Sequence, residues 1–301
     1  MKQSVRSSSS NPKIPQFRER PKIKLQKYSH KNYSFLGISE GGLQTSVAFH
    51  QFRLMFDIGI GSPRLTDIPR LLLTHGHLDH ASGIAYYVSQ RSLRHLDPPE
   101  IFCPVEIKES LEKILNLWGE IEGFQNRFHI TGTEDGRLYP LQSNYYFKSL
   151  RSIHRIPSSA YIVVEKTKKL KEEYRNLPGH EIAVMKSNPD IFYESENPLV
   201  VFSGDTKIEL IIENPEIQKA KILFLECTYI DDKRPVERAR KWGHIHLDEI
   251  IANAEIFRNI EKLFLIHFSP RYSNEEIKAA LKSKMPDWLH KKTTPFYAAR
   301  P

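Results

Sequence analysis

Three histidines and an aspartate lie between positions 75 and 80, in the stretch Thr-His-Gly-His-Leu-Asp-His that spans 74–80. Imidazole and carboxylate groups are ligands that divalent ions take in proteins. Side chains two residues apart on an extended chain point to the same side, so His75 and His77 can bind one ion. Asp79 and His80 follow on the turn and face a second ion. One or two histidines would be ordinary surface or core residues, whereas four ligand-type side chains at this spacing indicate a metal centre.

A short apolar run, Leu71-Leu72-Leu73, directly precedes this stretch. A short apolar run that ends in polar residues is typical of a buried strand. The strand would place the histidines and the aspartate at the edge of a sheet.

The stretch matches the His-x-His-x-Asp-His box of the metallo-β-lactamase superfamily, which the chain therefore resembles. The resemblance implies more ligands downstream, and residues of the right type follow in order. His154 precedes the β-rich segment 161–164, Asp205 lies in Val-Val-Phe-Ser-Gly-Asp-Thr (200–206), and His267 follows the apolar run 263–266. Asp57, in a strand that ends in an Asp-x-Gly turn, would orient a ligand from outside the coordination sphere.

On this resemblance, the first ion takes His75, His77 and His154, the second takes Asp79, His80 and His267, and Asp205 bridges the two. Zn²⁺ suits the imidazole-rich set, and Mn²⁺ is the alternative because carboxylates share the site. We expect an α/β fold, an αββα sandwich of two mixed sheets packed face to face with helices outside.

The pattern of apolar residues from Tyr33 onward alternates strands with helices, and no linker splits it. Helices are expected over 82–95, 105–118, 207–220 and 247–259, and strands over 145–165 and 198–203. We expect a single hydrolase domain over residues 28–301, a size that one α/β sandwich can reach.

The net charge of +8 is concentrated at the start of the chain. Residues 1–27 contain eight Lys or Arg and one acid, are rich in Ser, and include three prolines. This composition predicts a disordered basic tail. The tail either adds non-specific attraction to a polyanion or is a solvated extension. An organellar transit peptide is a further alternative, which the prolines disfavour.

The two cysteines, Cys103 and Cys227, do not indicate a disulfide framework, and a reducing compartment fits them. No apolar run approaches the roughly 18 residues of a membrane span, and no apolar signal region follows Met1. We expect a soluble, intracellular protein, most simply a cytoplasmic one without a membrane partner.

Three later segments resemble the family of tRNA 3′-processing endoribonucleases, tRNase Z. Glu226 and His244, in Phe-Leu-Glu-Cys-Thr-Tyr (224–229) and Trp-Gly-His-Ile-His (242–246), match two roles in that family. The segment His-Phe-Ser-Pro-Arg-Tyr (267–272) is close to the family's ending, and residues 169–182 with 243–246 are similar to the short plant form. The resemblance covers roughly residues 33–285. It implies a homodimer in which one subunit helps to bind precursor tRNA for the other.

The resemblance also implies roles in catalysis. Asp79 would take a proton from the attacking water, and His244, kept protonated by Glu226, would donate one to the leaving 3′ oxygen. His246 would have a supporting position. Arg271 would either contact a substrate phosphate or tie down its own loop, and Cys227 would be a small buried residue rather than a nucleophile.

The interval from His154 to Asp205 is too short for the long flexible arm of many bacterial tRNase Z enzymes. Four lysines in it either contact phosphate or form an ordinary solvated face: Lys166, Lys168, Lys169 and Lys171. The sequence also departs from the family's pattern at Leu225, Cys227 and Ala160. The shorter arm favours a rival function, hydrolysis of small phosphodiesters or esters on the same scaffold. A non-catalytic RNA-binding relative is the third alternative.

Overall fold

The computed structural model describes residues 24–185 and 187–297, and its strands form two sheets of seven strands each. The first sheet contains, in spatial order, β1 (Gln26–His30), β2 (Tyr33–Glu40), β3 (Gln44–Phe49), β4 (Leu54–Phe56), β5 (Arg70–Leu72), β6 (Glu100–Pro104) and β7 (His129–Thr133). The second sheet contains β8 (Leu138–Gln142), β9 (Tyr145–Arg151), β10 (Ser159–Leu170), β11 (Phe192–Phe202), β12 (Ile222–Glu226), β13 (Lys262–Ile266) and β14 (Thr293–Pro295).

The two sheets share one pattern of pairing. Strands β1 to β4 are antiparallel and β4 to β7 parallel, and likewise β8 to β11 are antiparallel and β11 to β14 parallel. Both sheets are therefore mixed, as the sequence predicts. Aromatic side chains fill the space between them: Phe56 of the first sheet and Phe202 of the second stack with ring centroids 4.8 Å apart.

Helices cover the outer faces of the sandwich, which confirms the predicted αββα arrangement. Helices α2 and α3 pack against the outer face of the first sheet, and α5, α7, α8 and α9 against that of the second. The helices are α1 (Leu78–Ala81), α2 (Ile84–Leu93), α3 (Val105–Glu122), α4 (Gly179–Met185), α5 (Glu209–Glu213), α6 (Val236–Trp242), α7 (Leu247–Ala252), α8 (Asn274–Lys284) and α9 (Asp287–Lys292).

Two predicted helices are shorter than expected. The segment 207–220 contains α5 and a separate 3₁₀ turn, because Pro215 keeps Asn214 in an extended conformation. The segment 247–259 contains α7 and a 3₁₀ turn that begins after Asn253. The strands predicted over 145–165 are β9 and β10, and the loop between them carries His154.

The segment between His154 and Asp205 contains a short projecting arm. The pairing of β9 with β10 ends at Glu165, whereas the β10–β11 ladder continues to Leu170 and Phe192. Residues 166–170 and 192–196 therefore form a two-stranded extension, and the turn between them carries α4.

The predicted basic tail falls mostly on residues 1–23, which lie outside the described residues. Its last four residues belong to the described part, and the expected boundary after Lys27 is too far downstream because β1 begins at Gln26. Leu25 packs against the apolar layer under α2 and α3, and Tyr28 stacks on Phe296 with ring centroids 4.3 Å apart. Over the described ranges, no helix is both long enough and apolar enough to span a membrane.

Candidate metal centre and proton donor

The candidate ligands lie at one edge of the sandwich, in loops and in the short helix α1, which carries Asp79 and His80. His75 follows β5, Asp205 follows β11 and His267 follows β13, so each comes after the carboxyl end of a strand in the parallel part of its sheet. Carboxyl ends of parallel strands meet at the same edge, which is where open α/β sheets place their sites. His154 reaches the same place from the loop between β9 and β10.

Seven of these side chains form two groups, and within each group the ligand atoms lie within 4.8 Å of one another; a third group of this kind joins His244 to Asp205 and His267. The two groups are His75, His77, His154 and Asp205, and Asp79, His80 and His267. His75 Nε2 lies 3.0 Å from His77 Nδ1, and His154 Nε2 lies 3.3 Å from the same atom. Asp205 lies between the groups: Oδ2 is 3.7 Å from His75 Nε2, and Oδ1 is 3.3 Å from His267 Nε2. The structure thus brings together all seven predicted ligands.

Four of the five imidazoles are fixed through the nitrogen that points away from the centre. His75 Nδ1 lies 3.0 Å from the Thr74 hydroxyl, and His154 Nδ1 donates to the Gly243 carbonyl at 2.9 Å. His80 Nδ1 lies 2.7 Å from Asp57 Oδ2, and His267 Nδ1 lies 3.0 Å from the hydroxyl of Thr228. Such outer contacts set the tautomer and the orientation of a ligand ring.

Asp57 is fully buried directly after β4, and its φ of 53° lies in the left-handed region. Its carboxylate accepts hydrogen bonds from the amide and the hydroxyl of Thr74, at 2.7 and 2.9 Å, and from His80. Asp57 therefore orients both the start of the histidine stretch and one of its histidines. Gly204 permits this arrangement: its φ is +57°, and a Cβ there would lie 2.8 Å from Thr74 Cβ.

The donor set fits divalent cations. Asp205 Oδ1 is buried and has no hydrogen-bond partner among the described residues, a costly state for a carboxylate oxygen. Imidazole nitrogens face one another, as at the 3.3 Å contact between His80 Nε2 and His267 Nε2. Lone pairs that converge without a hydrogen between them are stabilised by a cation. Imidazole-rich sets with shared carboxylates suit Zn²⁺ and also admit Mn²⁺.

The electrostatics of His75, His77 and His154 support this assignment. Burial, together with the neighbouring imidazoles, holds the pKa of His75 well below its ordinary value and also lowers the pKa of His77 and of His154. These residues are therefore neutral, which is the form that binds a metal ion. Burial would raise the pKa of Asp79, but the imidazoles of His267 and His80 together outweigh that effect and lower it, so Asp79 is ionised.

Glu226 and His244 form a pair beside the two groups. Glu226 is fully buried at the end of β12, and its Oε1 lies 2.9 Å from His244 Nδ1. Burial alone would lower the pKa of His244, but the Glu226 carboxylate outweighs it and raises the pKa to about 9. Because Nδ1 is held by the carboxylate, Nε2 is the nitrogen from which a protonated His244 can donate.

Other residues that the sequence singles out have structural contacts. His246 caps α7 by accepting a hydrogen bond from the amide of Asp248, and it does not join the ligand groups. Cys227 is fully buried, and burial raises its pKa well above the ordinary value, so it is no nucleophile. Arg271 is exposed and its guanidinium donates to the Ser269 hydroxyl at 3.3 Å, which ties it to its own loop.

Sequence reasoning missed two threonines that hold this site together. Thr74 connects Asp57 to His75, and Thr228 connects Glu226 to His267. Thr74 directly precedes His75, and Thr228 lies two residues after Glu226. This closeness in the sequence to candidate site residues is the only sequence signal for the two threonines.

A cavity of about 360 Å³ opens next to His244 and His267. It is also lined by Gly41, Gly42, Thr228, Tyr229, Trp242, Ser269, Pro270 and Arg271. Its size lies within the range of small-ligand pockets, roughly 300–1,000 Å³. A substrate group that occupies it contacts the candidate proton donor directly.

No family model matches the chain. Among curated proteins, it is 35% identical over 259 residues to tRNase Z TRZ1 of Arabidopsis thaliana, an alignment that covers 85% of this chain and 92% of that protein. It is also 35% identical over 254 residues to the chloroplastic tRNase Z TRZ2 of the same plant, covering 83% of this chain and 72% of the relative.

Solved structures show the same fold. The human short-form tRNase Z (ELAC1) superposes with a TM-score of 0.56 at 19% identity, covering 88% of this chain and 97% of that one. The metallo-β-lactamase fold protein YhfI of Bacillus subtilis gives a TM-score of 0.59 at 14% identity, covering 86% and 93%.

Proposed function

This chain belongs to the tRNase Z family, and from that premise we propose that it is an endoribonuclease that hydrolyses the phosphodiester on the 3′ side of the discriminator nucleotide of precursor tRNA. The observation that carries the proposal is the hydrogen bond between Glu226 and His244, beside two groups of metal-ligand side chains. An alkoxide is a poor leaving group, so cleavage of RNA benefits from a positioned proton donor.

The fold and the donor groups imply divalent metal ions. We propose two Zn²⁺ ions, one held by His75, His77 and His154 and the other by Asp79, His80 and His267, with Asp205 shared between them. When bound, such ions lower the pKa of water and stabilise the attacking and leaving oxygens of a phosphoryl transfer.

The residues of the chain then move two protons. Asp79, ionised and oriented by the amide of Gly42 at 2.8 Å, accepts a proton from the attacking water. The water oxygen forms a bond to phosphorus while the bond from phosphorus to the 3′ oxygen breaks. His244 donates its Nε2 proton to that oxygen, and Glu226 stabilises the protonated imidazole beforehand. The products are a tRNA with a free 3′ hydroxyl and a trailer with a 5′ phosphate.

We propose that the arm formed by β10 and β11 contacts the phosphates of tRNA. Lys168 and Lys169 on it are exposed, and lysines that face solvent on a projecting strand can reach a polyanion. Lys166 differs, because its ammonium lies 3.5 Å from Glu194 and 4.9 Å from the centroid of the Tyr146 ring.

We also propose a homodimer, formed through an apolar surface on α3 and the adjoining α1. Ile114, Trp118 and Ile121 lie along one side of α3, next to the buried Leu111 and Leu115. Leu78 of α1 lines a cavity together with Ile114 and Trp118, and Ile121 and Leu78 are each about three-quarters exposed. Monomeric proteins seldom expose a contiguous apolar surface of this kind. A second copy of the chain is the partner that the proposal names.

For the compartment we propose the cytoplasm; one of the two plant relatives is named chloroplastic. Hydrolysis of small phosphodiesters remains the second candidate function. The observation that favours it is the short arm, which offers few basic residues for a large RNA.

The test is single-turnover cleavage of a 3′-extended precursor tRNA by the metal-loaded protein, with His244→Ala alongside. We expect a cut after the discriminator nucleotide and a loss of about 10²–10⁴-fold in the variant. Turnover of bis(p-nitrophenyl) phosphate should persist in the variant, because p-nitrophenolate leaves without a proton. Absence of tRNA cleavage with turnover of the small ester retained would instead support the second candidate, and absence of bound metal would support a non-catalytic RNA-binding relative.

A further inference from the structure

Trp242 is a large aromatic side chain that remains 43% exposed at the last position of α6. It lines the cavity beside His244 and His267. None of the steps proposed above uses it. An exposed indole in the wall of a site that acts on RNA offers a flat apolar surface of the kind on which nucleobases stack.

Arg155 covers one face of this indole. Its guanidinium carbon lies 4.5 Å from the centroid of the Trp242 ring, which is a cation–π contact. Arg155 is exposed and follows His154 directly in the chain. The contact therefore fixes the ring from behind and adds a positive charge next to the place where a phosphodiester would lie.

The backbone around Gly243 holds the pair in place. Gly243 ends α6 with a φ of +78°, and a Cβ there would lie 2.8 Å from His154 Nδ1 and 3.4 Å from the amide nitrogen of Arg155. Its carbonyl accepts the hydrogen bond from His154 Nδ1. The segment 242–244 thus packs directly on 154–155, so the indole has a fixed position relative to a proposed metal ligand and to the proposed proton donor.

We propose that Trp242, backed by Arg155, stacks on the nucleobase of the nucleotide whose 3′ oxygen receives the proton from His244. Trp242 is two residues from His244 and shares its cavity, so this nucleotide is the one whose base is nearest. This inference rests on the proposed function, under which that nucleotide is the discriminator. Stacking tolerates every base, because each presents a π face. Trp242 thereby positions the scissile bond without selecting a particular discriminator.

The experiment compares two precursor tRNAs that differ only at the discriminator, one with the natural base and one abasic. Trp242→Leu keeps an apolar side chain but removes the aromatic face, and Trp242→Phe keeps a face. On the natural substrate we expect Trp242→Leu to lower kcat/KM by roughly 5- to 150-fold, the usual effect of losing one base–aromatic stack. On the abasic substrate the variant and the unmodified protein should react alike, and Trp242→Phe should retain most of the activity on both.

Two further measurements keep the inference testable if Trp242→Leu folds poorly. Arg155→Ala leaves the indole in place and should lower kcat/KM by roughly 2- to 5-fold more on the natural substrate than on the abasic one. A 2-aminopurine at the discriminator position should lose fluorescence on binding the unmodified protein and keep more of it with Trp242→Leu.

Equal losses of kcat/KM on the natural and abasic substrates would assign Trp242 a purely structural role and overturn the inference. The absence of any loss of kcat/KM on either substrate would also overturn it. Failure of the unmodified protein to cleave any precursor tRNA is a different result. That outcome would reject the proposed function, and the stacking assignment with it.

Discussion

The hydroxyl of Thr228 donates its hydrogen to Glu226 Oε2 at 2.7 Å, and both groups are buried. The same hydroxyl oxygen lies 3.0 Å from His267 Nδ1. Since the hydroxyl has given its hydrogen to the carboxylate, it accepts from Nδ1–H of the ring. Nε2 of His267 then keeps its lone pair for a cation at the centre, where the carboxylates of Asp79 and Asp205 also point, each 3.3 Å away. One threonine therefore sets the tautomer of a proposed ligand and also holds the carboxylate that contacts His244.

Thr228→Val removes this hydroxyl while keeping the shape of the side chain. We expect metal affinity and tRNA cleavage each to fall by about 10- to 100-fold, the usual effect of removing a group that orients a metal ligand. Chelator competition measures the affinity, and Thr228→Ser, which restores the hydroxyl, is the control. Wild-type affinity in Thr228→Val would show that the hydroxyl does not orient His267.

Glu226→Gln tests whether this carboxylate keeps His244 protonated. The amide carries no charge, so it stabilises the imidazolium far less. We expect single-turnover cleavage of precursor tRNA to slow by about 10- to 100-fold, which is part of the contribution of a general acid. Hydrolysis of bis(p-nitrophenyl) phosphate, whose leaving group needs no proton, should change little. Equal losses on the two substrates would mean that Glu226 supports the whole centre rather than the proton donor.

Local signals in the sequence predicted individual strands and helices, whereas the architecture and the ligand set were implied by the family resemblance. The apolar run before His75 predicts the strand that carries it, and β5 ends at Leu72. His154, Asp205 and His267 came from resemblance and order along the chain, and the structure brings them within ligand distance of the first stretch. The low cysteine content gave no indication of a disulfide framework, and Cys103 and Cys227 are both free and buried.

Contacts between residues far apart in the sequence could not be predicted in this way. The stacking of Arg155 on Trp242 joins segments 87 positions apart, and no local pattern signals it. The predicted helix lengths were wrong where one residue interrupts an apolar pattern, as Pro215 does after α5. The predicted boundary after Lys27 lies downstream of the start of β1 because Leu25 packs against distant elements, whereas the local composition is polar.

Gly204, near the centre, should tolerate a side chain poorly. In Gly204→Ala, a left-handed residue gains a Cβ, at a cost of about 1–2 kcal/mol, and that Cβ also collides with Thr74, 2.8 Å away. We expect the free energy of unfolding to fall by more than about 2 kcal/mol in urea denaturation. The control is Gly136→Ala, which has a φ of +72° but meets no atom within 4 Å. Equal losses in the two variants would show that Thr74 moves aside without cost.

The lysines of the arm should affect the binding of precursor tRNA through their charge alone. We expect Lys168→Ala combined with Lys169→Ala to raise the KM for precursor tRNA. The slope of log affinity against log salt concentration should become shallower by roughly 0.7–0.9 for each phosphate that is no longer neutralised. Lys166→Ala is the matched control, because its ammonium is already paired with Glu194. An unchanged salt slope in the double variant would assign these lysines to an ordinary solvated face.

A charge on the outer face of α3 should separate the proposed dimer. Ile121 is 74% exposed and Trp118 47%, so replacing either by a charged residue costs the folded monomer little. In a dimer the same charge would be buried without a partner, which is strongly unfavourable. We therefore expect the unmodified protein to be a dimer in sedimentation or light scattering, and Ile121→Lys and Trp118→Glu to be monomers. Both variants should cleave tRNA less well but retain activity on the small ester. Val184→Lys, at an exposed apolar position on the arm, is the control and should leave the dimer intact. A monomeric unmodified protein with full activity on tRNA would reject the dimer, and this surface would then need a different partner.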